Sequence, residues 1–314
     1  MSILVYLGSL LKYNRRRFLI FATLGSVYSL LLRAIFRQEP VYSQPLTQAE
    51  KLRLNADEEP LLRFVAVADT GTGDRHQYAV AEAMERYYEE NPFSLVILAG
   101  DNIYSDGDID RVEDVFERPY GSLLQKDVKF HACLGNHDIR TDNGNPQVAY
   151  PGFHMQGRTY TVRYNSVQFF ALDTTRNADW ESQLAWLEQE LRQSDAPWKI
   201  VFGHHPIYSS GMYGTNIQRV RLLKPLFQKY GVQLYMNGHE HNYERTLPID
   251  GTTYLICGAG AKSRPVGRSQ WTVAATSRLS FAACEVYRDY MTIRGIDTEN
   301  RVFDRGAIPV SPNA

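Results

Sequence analysis

Residues 62–69 read L-R-F-V-A-V-A-D, and residues 95–101 read L-V-I-L-A-G-D. Each is a short apolar run closed by an aspartate. Apolar character along the whole run predicts a strand covered on both faces. Working outward, the same pattern recurs. Residues 128–134 end at Gly135-Asn136-His137-Asp138, residues 198–202 at Gly203-His204, and residues 232–236 at Asn237-Gly238-His239. Helical spacing fills the intervals at 75–90 and at 217–230, which Gly231 closes. Asp179 caps a third helix with Trp180, Leu184, Leu187 and Leu191 on one face. Every strand therefore delivers an Asp, Asn or His at its carboxyl end, where open sheets place their functional groups.

Shorter strand-like runs at 158–164, 167–172, 253–257, 280–287 and 290–296 are expected to make a second sheet. Two sheets face to face with helices outside would cover the apolar strands. The predicted class is therefore mixed α/β, a four-layer α/β/β/α sandwich of two mixed sheets with its site at the strand carboxyl ends.

Composition narrows the function classes. The 314 residues are 44% hydrophobic and 22% charged, which excludes disorder, collagen and coiled coil. Three cysteines, Cys133, Cys257 and Cys284, lie in apolar strands and are read as free. The net charge of −1 is uneven: six basic and no acidic residues precede Glu39, leaving 28 basic against 35 acidic. An acidic body of this kind argues against a nucleic-acid binder.

Residues 14–20, N-R-R-R-F-L-I, open an uncharged run of 15 residues, 18–32. A basic patch before an apolar run is the pattern of an export signal, and the paired arginines resemble the twin-arginine type. The expected organisation is an export signal or signal anchor at 1–37, a linker at 38–60 and one folded domain at 61–314. The absence of an N-x-S/T acceptor fits a periplasmic or other extracytoplasmic protein, with any membrane contact made through the N-terminal segment.

The strand-end residues form a donor set: Asp69, Asp101, Tyr104, Asn136, His204, His239 and His241. Seven oxygen and imidazole donors suffice for two metal ions if Asp101 bridges them. Asp69, Tyr104, His241 and Asp101 make a hard, anionic set suited to iron(III). Asn136, His204, His239 and Asp101 suit a divalent ion such as iron, zinc or manganese. A phenol ionises near pH 10, so a tyrosine ligand calls for a strongly Lewis-acidic ion. The centre as a whole would remain cationic and attract a phosphate.

These residues carry a resemblance. D-x-G at Asp69, G-D-x-x-Y at Gly100, G-N-H-D at Gly135, V-x-x-H at Val201 and G-H-x-H at Gly238 resemble the five metal-binding motifs of the purple acid phosphatases. These belong to the calcineurin-like metallophosphatases. All five occur in order, each after an expected strand, and the likeness runs from about residue 61 to the C-terminus. With no extra domain ahead of the body, the chain resembles the small tartrate-resistant type.

The resemblance implies an acid phosphatase acting on small phosphate monoesters, in which a metal-bound hydroxide attacks phosphorus in line. It implies that His137 contacts phosphate or protonates the leaving group, with Asp138 orienting its ring, and that Asn136 and His205 face the phosphate. A histidine that these enzymes place about nine residues past the V-x-x-H motif is Tyr213 here, in the loop 209–215. That departure puts leaving-group protonation at the centre of any test. The alternatives are a phosphodiesterase or nucleotide hydrolase on the same core, or a metal- or phosphate-binding protein without turnover. Substrate choice is expected to depend on loops 141–156 and 208–216.

Overall fold

The computed structural model describes residues 41–44 and 58–310; the expected export segment and most of the expected linker lie outside the described residues. Among the described residues no helix is long and apolar enough to cross a membrane.

The strands in chain order are β1 (Val41–Ser43), β2 (Leu62–Val67), β3 (Leu95–Leu98), β4 (Lys129–Ala132), β5 (Tyr160–Tyr164), β6 (Val167–Ala171), β7 (Trp198–Phe202), β8 (Leu234–Asn237), β9 (Tyr243–Thr246), β10 (Thr253–Cys257), β11 (Thr272–Thr276), β12 (Ser280–Val286), β13 (Tyr290–Asp297) and β14 (Val302–Pro309). The three longest helices are α1 (Arg75–Glu90), α2 (Trp180–Gln193) and α3 (Ile217–Tyr230). Their starts follow capping chemistry: Asp74 accepts the amides of His76 and Gln77, Asp179 that of Ser182, and Asn216 that of Arg219. Gly231, at φ 67°, ends α3 as expected.

Two mixed sheets result, one of order β1-β11-β9-β10-β8-β7-β6-β5 and one of order β14-β13-β12-β2-β3-β4. Between them lies an apolar layer in which Phe64 meets Phe169 edge to face at 5.2 Å, alongside Ile97, Ile200 and Phe202. α1 covers the outer face of the six-stranded sheet through Val80, Met84 and Tyr87. Leu187 and Leu191 of α2, with Leu223 and Phe227 of α3, cover Phe170, Val201 and Tyr235 on the other. This is the expected four-layer α/β/β/α sandwich.

The partition of strands differs from expectation. The shorter runs do not gather into a second sheet of their own. β12 pairs antiparallel with β2, so 280–297 extend the sheet of β2, β3 and β4, whereas β5, β6 and β10 join β7 and β8. Periodicity reports which residues are covered and not which strand lies alongside, and the pairing of β2 with β12 spans more than 200 residues of chain. Within the segment expected as a linker, Val41–Ser43 pairs antiparallel with β11. One buried cluster ties the sheets together: Arg245 of β9 donates to both oxygens of Asp304 of β14 at 2.7 and 2.8 Å, and Tyr243 donates to the same carboxylate at 2.7 Å.

Candidate metal centre

β2, β3 and β4 run parallel in one sheet, and β6, β7, β8 and β10 run parallel in the other. Their carboxyl ends open at the same edge of the sandwich, so five turns from two sheets converge. The backbone there is strained: Asp69, Asp101, His239 and His241 all have left-handed φ, at 57°, 54°, 72° and 50°. Non-glycine residues take this region only when their surroundings enforce it. Two motif glycines permit the crowding. A side chain at Gly100, itself at φ 84°, would come within 2.6 Å of His204 Nδ1, and one at Gly238 within 2.3 Å of Asp69 Oδ2.

All seven expected donors come together, in two groups. In the first, the Tyr104 hydroxyl donates to Asp69 Oδ1 at 2.9 Å and lies 3.2 Å from His241 Nε2, which is itself 3.2 Å from Asp69 Oδ1. Burial, together with the charges of Asp69 and Asp101, pushes the Tyr104 phenol far above its ordinary pKa. Only a strong cation could draw off that proton. In the second, His204 donates from Nδ1 to the Ala99 carbonyl at 2.9 Å, which leaves Nε2 facing inward. That nitrogen lies 3.2 Å from Asn136 Oδ1, 3.2 Å from His239 Nδ1 and 3.5 Å from Asp101 Oδ1.

Lone pairs converging on a common point fit a bound cation. The charge balance at His204 agrees: burial alone would lower its pKa, yet Asp101 and Asp69 more than reverse this. Burial, with His204 beside it, holds His239 down to about 3, so its ring is neutral and available. Asp69, Asp101 and His241 could hold one ion. His204 and His239 could hold another, with Asp101 standing between the groups through its contacts to His204 and to the His137 amide.

The remaining expected residues divide. His137 reaches the centre, its ring centroid 4.5 Å from that of Tyr104 and its Nε2 3.9 Å from Asp101 Oδ2. Asp138 does not orient it. The Nδ1 of His137 bonds the Ser105 carbonyl, and Arg140 approaches Nε2 at 3.3 Å. Asp138 is fully buried and accepts the amides of Gly135, Asn102 and Ile103 and the side chains of Asn102 and Gln147. It is a knot joining the turns after β3 and β4, and its carboxylate is already saturated. His205 lies beside His204 and against the His239 ring at 4.5 Å, with Nδ1 3.0 Å from Thr174 Oγ1. Burial and the neighbouring His204 and His239 hold it far below its usual pKa. Tyr213 stacks on His239 at 4.3 Å and 27°, so the loop does carry it to the centre.

Sequence reading missed the residues that hold this arrangement. Glu240, fully buried between His239 and His241, accepts the Ser209 hydroxyl and the amides of Met212 and Tyr213. Glu244 accepts the Ser210 amide at 2.7 Å. Acidic residues inside an otherwise buried motif were the available signal. Lys262 and Arg264 follow β10 in a loop without periodicity. With His137 and His241 they line an open cavity of about 620 Å³ beside the donor groups.

A two-sheet α/β sandwich with paired Asp, His, Asn and Tyr donors at its strand ends defines the class of dinuclear-metal phosphoesterases. Residues 62–243 match the calcineurin-like phosphoesterases, and the chain belongs to that family. It is 26% identical to tartrate-resistant acid phosphatase type 5 of Mus musculus over 81% of this chain and 92% of that protein. It is 30% identical to purple acid phosphatase 3 of Arabidopsis thaliana over 71% of this chain and 70% of that one. Among solved structures, purple acid phosphatase PPD1 from yellow lupin seeds shares the fold, with a TM-score of 0.68 and 20% identity. That match covers 79% of this chain and 53% of the lupin chain.

Proposed function

We propose that the chain is an exported acid phosphatase that hydrolyses small phosphate monoesters at a dinuclear centre. The observation that carries this reading is the convergence of seven oxygen and imidazole donors beside a cavity walled by His137, Lys262 and Arg264. Asp69, Tyr104 and His241 would hold iron(III), and Asn136, His204 and His239 a divalent iron, zinc or manganese ion, with Asp101 shared. Bound there, the two ions supply Lewis acidity toward a phosphate oxygen and an activated water for in-line attack.

The protein side chains do the rest. His137, fixed through Nδ1 by the Ser105 carbonyl, turns Nε2 toward Asp101 at 3.9 Å and, once that nitrogen takes a proton, would serve the leaving oxygen. Arg140 donates to Nε2 only while that nitrogen is unprotonated, and the contact would give way when the ring takes a proton. Tyr213 covers His239 and narrows the approach to the centre. His205 lies against the His239 ring at 4.5 Å, within the same histidine group. The three consecutive arginines ahead of the apolar run, Arg15, Arg16 and Arg17, support export.

A visible absorption spectrum of the iron-loaded protein tests the assignment. A charge-transfer band that disappears in Tyr104→Phe supports it. A metal-loaded, active protein that lacks the band, and keeps its activity in that variant, removes Tyr104 and iron(III) from the account.

A further inference from the structure

The cavity beside the donor groups is 620 Å³, within the range of pockets that enclose a whole small ligand, and a phosphoryl group would fill only one corner of it. Its remaining wall is basic. Arg264 is already engaged, donating to the His239 carbonyl at 3.3 Å and to the Tyr213 hydroxyl at 3.4 Å. Arg140, near the same mouth, is held by the Ser105 carbonyl at 3.0 Å and by His137. Lys262 is different. Its Nζ stands 3.7 Å from the Tyr104 ring centroid, and among the described residues no carboxylate pairs with it.

An ammonium without a counter-ion, held over an aromatic face inside a pocket, is a site waiting for an anion. Asp74, the one acidic residue on the wall, is turned into the first turn of α1, where its carboxylate accepts the amides of His76 and Gln77. It caps a helix and does not neutralise Lys262. His137 and Lys262 lie against the same Tyr104 ring, 4.5 and 3.7 Å from its centre. A substrate whose phosphate meets His137 would therefore extend its other end past Lys262.

We infer that Lys262 selects phosphomonoesters that carry a second anionic group, a carboxylate or a second phosphate, on the alcohol portion. This rests on the phosphatase reading and adds the substrate class to it. The ammonium pairs with the second anion and leaves the ester phosphate to the donor groups and His137. A charge-assisted pair of this kind is worth about tenfold in discrimination.

The test compares phenyl phosphate, 4-carboxyphenyl phosphate and 1,4-phenylene bisphosphate on the full-length, metal-loaded protein. The wild type should favour the two esters with an anionic tail by about tenfold in kcat/KM, expressed through KM. Lys262→Met keeps the packing over Tyr104 and should bring that ratio near one, and Lys262→Arg should restore it. The ratio is the readout because a loss common to all three esters cancels. A wild-type ratio near one, or a ratio that Lys262→Met does not change, overturns the inference. Calorimetric titration with phenylphosphonate and 4-carboxyphenylphosphonate separates it from the parent reading. A tenfold affinity difference lost in Lys262→Met upholds the anion site even if no ester is cleaved. Equal affinities reject it even if all esters are cleaved.

Discussion

The carboxylate of Glu240 accepts the backbone amide of Tyr213 at 2.9 Å, so a residue lying between His239 and His241 in sequence holds the loop that covers His239. The same carboxylate accepts the Met212 amide at 2.9 Å and the Ser209 hydroxyl at 2.8 Å. Removing it leaves three donors without this acceptor, the Ser209 hydroxyl buried and the two amides half-buried. Glu240→Ala should cost about 3 kcal/mol in urea unfolding and raise KM for p-nitrophenyl phosphate. Glu240→Gln, which keeps one acceptor oxygen, should lose about half as much. Equal stability of all three proteins would show that the loop is held by other contacts.

His137 and Tyr213 are the two side chains placed to serve a leaving group, and only His137 is fixed beside Asp101. Phenolate leaving groups such as p-nitrophenolate need little protonation, whereas alkoxides need it fully. His137→Gln should therefore lower kcat for glycerol phosphate at least tenfold more than for p-nitrophenyl phosphate. Tyr213→Phe should affect the two alike. The reverse pattern would transfer the proton donation to Tyr213.

His131, 4% exposed, bonds the Tyr164 hydroxyl through Nε2 at 2.8 Å, and its Nδ1 has no partner. Burial, with the charge of His154 second, lowers its pKa to about 4. The unfolded chain binds its proton near pH 6.5, so the folded state loses stability as pH falls through 6.5 toward 4. The loss between pH 7.5 and 4.5 should be about 2–3 kcal/mol from this residue. His131→Asn should flatten the dependence of the urea midpoint on pH by that amount. An unchanged slope would mean that His131 is protonated in the fold.

The Arg245–Asp304 pair joins the two sheets with both partners buried. Asp304→Ala removes the buried carboxylate that accepts from both Arg245 and Tyr243 and should destabilise by about 3–5 kcal/mol. It should leave kcat for p-nitrophenyl phosphate near the wild-type value at 15 °C, since neither residue touches the cavity. A loss of kcat without a loss of stability would contradict this separation.

The alternation of apolar runs and helical spacing foretold α1, α2 and α3 because 3.6-residue spacing, the Asp179 cap and the Gly231 stop are local signals. The donor set was legible because each of its members follows a strand directly or within a few residues. Pairing was not legible, since the contact of β12 with β2 is a non-local choice among strands of similar composition. Nor was the true place of Asp138. It is adjacent to His137 in sequence, but the turn directs its carboxylate to the amides after β3. Lys262 and Arg264 could not be found from periodicity, because their loop has none and only the fold brings it over Tyr104.

The most direct test is turnover of p-nitrophenyl phosphate as a function of bound metal. The purified protein would be stripped with a chelator and titrated with iron and a divalent ion, and phosphate release measured against metal content. The account predicts negligible turnover in the stripped protein and full activity at two metal ions per chain. Full turnover without metal, or two filled sites without turnover, would contradict it.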